Sequence, residues 1–113
     1  MGSYANFCCG RHLVAIANRK YFGYIEDDEF EKTRSYQFLK ELCGDDVMYA
    51  NVSYIHGFCD MTYFQMLTFM QVYMLDFYGL SNDAEHDDKF HEMWGTITLP
   101  ENPQLKTYQL YFD

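Results

Sequence analysis

Cationic side chains nearly vanish after the first third of this chain. Residues 41–113 hold only Lys89 and Lys106 against twelve carboxylates, a net of −10. Residues 1–40 hold six basic and five acidic groups, a net of +1. The whole chain of 113 residues carries −9. Phosphate backbones are held chiefly by Lys and Arg. DNA, RNA and anionic membrane surfaces are therefore disfavoured as direct ligands, and a basic protein is favoured as partner.

Other absences narrow the field further. No apolar run is clean enough to span a bilayer: the strongest, Met61 to Leu80, is broken by Thr62, Gln65, Thr68, Gln71 and Asp76. Met1 to Phe7 lacks the basic and apolar regions of a secretory leader, and Asn6 stands where a myristoylation pattern needs Ser or Thr. Cys8, Cys9, Cys43 and Cys59 suggest no disulfide framework. The expectation is a cytoplasmic protein. Gly10, Gly23 and Gly44 do not assemble a phosphate-binding loop, and no Ser sits in a nucleophile elbow. Asp45-Asp46 lacks the alternating acidic ligands of a calcium loop.

What is present is an apolar, aromatic chain. It is 49% apolar and 19% aromatic, enough for one core in a single domain over residues 1–113. Ten Phe and eleven Tyr can fill that core with rings or supply a contact surface.

Residues 3–25 read two ways. Ser3 can cap a helix through Phe7, Val14 and Ala17, with extended chain after it; the other reading is a hairpin of His12–Ala17 and Tyr21–Ile25 around Asn18-Arg19-Lys20. The helix is the favoured expectation. Asp28-x-x-Glu31 is a capping box for a helix to Cys43, with Phe30, Phe38, Leu39 and Leu42 on one face. Val47–Ile55 alternates weakly as a strand. Thr62-x-x-Gln65 is a second capping box. The helix after it is apolar nearly all round, which predicts a central position, and Gly79 ends it. Ser81 or Asn82 caps a third helix to Trp94, with His86, Phe90, Met93 and Trp94 on one face. Thr96–Leu99 and Leu105–Phe112 read as strands joined by Pro-Glu-Asn-Pro. There is no βαβ rhythm. The expected fold is α+β: a small antiparallel sheet with about three helices, one central and strongly apolar.

Three constellations bear on chemistry. The first is acidic: Glu26, Asp27, Asp28 and Glu29, then Asp83, Glu85, Asp87, Asp88 and Glu92. On the third helix Asp83/Asp87 and Asp88/Glu92 are four apart, and Glu85/Asp88 three apart. Four helical residues advance about 6 Å, close to the roughly 7 Å spanned by two phosphates of a DNA strand. Like charges so placed cost an isolated helix a few tenths of a kcal/mol each. Such a face can imitate nucleic acid; a merely solvated face with helix-start charges is the plainer account.

The second constellation is metal-like: His56-Gly-Phe-Cys59, with Cys8, Cys9 and His12 apart from it. One H-x-x-C is far less specific than paired C-x-x-C motifs. The third is a thiol at Cys8 or Cys9 awaiting a base such as His56 or His12; buried, inert cysteine is the commoner role.

The expectation is thus a non-enzymatic acidic protein that binds and blocks a basic, nucleic-acid-binding protein, as inhibitors of nucleases, defence complexes or toxins do. Its contacts are the two acidic clusters with Tyr24 and Trp94 as rim aromatics. No cofactor is expected. The alternatives are a small thiol or metal enzyme built on Cys9, His56 and Cys59, and an acidic oligomeric accessory protein with an aromatic homodimer seam.

Overall fold

The computed structural model describes residues 4–19, 32–43, 60–78 and 83–112. The chain begins with a β-hairpin, Ala5–Cys9 (β1) and His12–Ile16 (β2), paired antiparallel. This replaces the expected helix. Ala5 and Phe7 are both fully buried while Asn6 between them is not, the two-residue period of a strand. Gly10, at φ 61°, makes the turn between the strands in a conformation that costs other residues energy. His12–Ile16 is extended, as the second reading expects of His12–Ala17; its proposed partner strand Tyr21–Ile25 lies outside the described residues.

Phe7 pairs with Ala15 but Cys8 pairs with Leu13, so Val14 is an extra residue in β2. This bulge lets Val14 and Ala15 both face inward.

The first described helix, Arg34–Cys43 (α1), opens later than the Asp28-x-x-Glu31 motif implies, and that motif lies outside the described residues. Thr33 caps it locally: its Oγ1 accepts from Tyr36 N at 3.1 Å. A second cap comes from far along the chain. The Asp76 carboxylate accepts from Arg34 N at 3.0 Å, from Ser35 N at 2.9 Å and from the Ser35 hydroxyl. One anion thus satisfies two orphan donors and complements the helix dipole.

The Thr62–Gln65 box is formed as the spacing predicts. Gln65 N donates to Thr62 Oγ1 at 3.2 Å, and Thr62 N donates to Gln65 Oε1 at 2.9 Å. It ends the short strand Asp60–Thr62 (β3) and starts the helix Tyr63–Tyr78 (α2). Met66, Phe69, Met70, Tyr73 and Met74 of α2 are fully buried. The helix Asp83–Trp94 (α3) follows. Val47–Ile55 and Gly79 lie outside the described residues.

Thr96–Leu99 is not a strand. It is irregular chain tied to the edge of β2: Thr98 N donates to Val14 O at 2.9 Å, and His12 Nε2 lies 2.7 Å from Thr98 O. The bulge distorts the edge that a further strand would need. After a 3-10 turn at Pro103–Leu105 comes the strand Thr107–Phe112 (β4). Its buried side chains are Tyr108 and Leu110, two apart, the period of a strand.

The sheet is antiparallel throughout, in the order β2-β1-β4-β3. With three α-helices described, the fold is α+β. α2 is central: it packs against α1, α3, β3 and β4. The core joins sheet to helices through rings. Phe7 of β1 stands 5.5 Å from Phe69 and 5.8 Å from Trp94, and Tyr73 stands 5.5 Å from Trp94. Each such ring brings about 1.5–3 kcal/mol of burial, and ring–ring geometry adds to it. Among the described residues no helix is long and apolar enough to cross a membrane.

Candidate partner-binding face

The second acidic cluster rides on α3. Asp83, Glu85, Asp87 and Asp88 fall in its first two turns, and Glu92 in its third. Asp88 and Glu92 are exposed. Phe90 is partly buried against the core and Met93 and Trp94 are buried in it, so the helix turns its apolar side inward and leaves these carboxylates to solvent. The first cluster, Glu26, Asp27, Asp28 and Glu29, lies outside the described residues, as does Tyr24.

Trp94 is not a rim residue. It is 2% exposed, and its indole Nε1 donates to Met70 O at 3.0 Å. A large ring with one donor is stable inside when that donor finds a partner. Trp94 therefore leaves the set of contact residues and joins the core.

The two acidic residues differ in their surroundings. Glu92 is internally engaged. Lys89 Nζ donates to its Oε2 at 3.0 Å, and Tyr78 Oη lies 3.5 Å from its Oε1. This bond to Glu92 holds the Lys89 ammonium above its ordinary range. Lys89 also stands 5.0 Å from the Tyr78 ring centre, and the Arg19 guanidinium lies 5.5 Å from the same centre and 5.2 Å from that of Phe77. Asp88 feels the Lys89 charge but makes no ion pair among the described residues. Among the described residues the only ion pair is Lys89–Glu92, which leaves Glu41, Asp88 and Glu101 exposed without an ionic partner. Asp76, one of the twelve carboxylates of the acidic region, is spent on capping α1.

Beside Glu92 lies an open cavity of about 430 Å³, between Ile16–Asn18 at the end of β2 and Glu92–Gly95 at the end of α3. Asn18 pins its two walls together. Its backbone N donates to Met93 O at 2.6 Å, and its Nδ2 donates to Glu92 O at 3.1 Å. Sequence reasoning missed Ile16 and Asn18, because nothing local couples the end of a strand to a helix 74 residues away. A second, smaller cavity of about 220 Å³ lies by Phe38, Glu41, Leu42 and Gln65.

The thiol and metal constellations gain little. Burial pushes the Cys8 thiol up, the opposite of an activated thiolate. Cys9 packs partly buried against the core. Among the described residues no three His, Cys, Asp or Glu side chains gather to hold a metal. His56 and Cys59 lie outside the described residues. Compared with protein-family models, curated proteins and solved structures, the chain matches none.

Proposed function

We propose that this is a small, non-enzymatic acidic protein that binds a basic surface of another protein and blocks it. Proteins that carry nucleic acid in a cationic groove are the partner class. The observation that carries the reading is charge without compensation. The chain has a net −9, and among the described residues a single ion pair offsets its carboxylates. Exposed carboxylates such as Asp88 raise the encounter rate with cationic surfaces and select the partner. The contact set is Asp83, Glu85, Asp87, Asp88 and Glu92 on α3, with Glu26, Asp27, Asp28, Glu29 and Tyr24 as a second group.

The test is affinity capture on the immobilised protein at low and high salt, with duplex DNA and RNA as competitors. A basic protein retained at low salt, released at high salt and displaced by nucleic acid supports the proposal. Association that ionic strength leaves unchanged, or that nucleic acid does not displace, overturns it. A second reading, self-association, is favoured by Leu13 and Ile16, exposed on β2 at 48% and 45%. Light scattering that shows a monomer removes it.

A further inference from the structure

We propose that the cavity between the end of β2 and the end of α3 is the socket for an arginine side chain of the basic partner. This rests on the partner class proposed above and names the place where its charge is read.

The argument starts from which charges the cavity can accept. It lies at the C-terminus of α3, where the helix dipole is negative. The last carbonyls of the helix gather there. Of the residues lining it, Glu92 and Met93 each offer a carbonyl that accepts from a nitrogen of Asn18. Each carbonyl oxygen keeps a second lone pair for a further donor. Glu92 lines the same wall, and its carboxylate, shared with Lys89 and Tyr78, adds a partly compensated negative charge. An anion is repelled from such a place, and a cation is drawn to it.

Shape then separates arginine from lysine. The opposite wall is Ile16, an apolar side chain 45% exposed, which suits an alkyl stem. At the helix end the acceptors are of two kinds: the Glu92 carboxylate and the Glu92 and Met93 carbonyls. A planar guanidinium with five N–H donors can address a carboxylate and a carbonyl together; an ammonium acts as a point charge. The open volume of about 430 Å³ admits a side chain with its stem. Lys89 already contacts Glu92 from the helix side, so it competes for the same carboxylate.

The test uses ¹⁵N-labelled protein titrated with a short alternating Arg-Gly peptide and with its Lys-Gly counterpart. The expected result is perturbation of the Asn18 side-chain amide, the Gly95 amide and the Trp94 indole N–H, with tighter binding of the arginine peptide. E92Q should weaken binding about tenfold, as loss of a close charge partner does. E101Q, the same charge change at an exposed site, should weaken it by less than about twofold. K89Q should strengthen binding by freeing Glu92, and K106Q should do so less. Perturbation confined to residues around Asp88, or equal losses in E92Q and E101Q, overturns the socket and leaves the acidic-face proposal standing. An absence of perturbation with either peptide also overturns the socket. Salt-dependent capture judges the broader function separately, so the two failures are distinguishable.

Discussion

Asp76 shows how a residue's role depends on what lies opposite it. In the sequence it is one polar interruption of an apolar run. In the fold its carboxylate closes the N-terminus of α1, 41 residues away in sequence from Ser35. Ser35 is fully buried, so removing its partner strands its hydroxyl and its backbone donor. D76A should cost about 2 kcal/mol, the sum expected for a lost cap and a buried unsatisfied group. Urea denaturation would show a lower midpoint with an unchanged slope. Tyr73 gives a pH prediction. Burial first, then the Asp76 charge, pushes its phenol well above the ordinary value of 10.0. In the unfolded chain the phenol ionises near 10.0; in the folded chain it must stay protonated. The fold then binds the extra proton, so this stabilising contribution is intact below pH 10 and is lost as pH rises beyond it. Y73F should flatten the alkaline fall of the urea midpoint by up to one proton's worth.

At the scale of elements, local chemistry is legible where it is self-contained. The Thr62–Gln65 box can be read from four letters because both of its hydrogen bonds close within them. The N-terminal hairpin cannot be read this way. Ser3 followed by mixed apolar residues fits a helix start, and the strand pattern is clear only once Phe7 has Phe69 and Trp94 against it. The turn itself rests on Gly10 at φ 61°, with open space where a Cβ would sit. G10A should therefore cost only the backbone penalty of about 1 kcal/mol. Thermal unfolding would read it as a lower Tm without loss of the native spectrum. Thr96–Leu99 departs from the expected strand for a related reason. Its alternation suits a strand, but the bulge at Val14 leaves it one ladder-like bond to β2.

For the whole molecule, the question is how charge is distributed over the surface. Composition alone shows an acidic later portion. It does not show that Asp76 and Glu92 are engaged within the molecule while Asp88 stands exposed. D88K should leave stability within about 0.5 kcal/mol, as an exposed substitution does. It should slow association with a basic partner by about tenfold at low salt, with the difference shrinking as salt rises. Stopped-flow association rates for the two proteins would measure both effects.

The sequence by itself determined net charge, the apolar central helix, its capping box and the presence of a last strand. Each of these depends only on composition or on residues a few positions apart. Tertiary structure alone decided that the N-terminus is a hairpin, that Trp94 belongs to the core, that Asp76 is a cap, and that Ile16 and Asn18 meet the end of α3. Those outcomes depend on which distant surfaces exclude water together, and burial is a property of the packed chain and not of any local stretch of it.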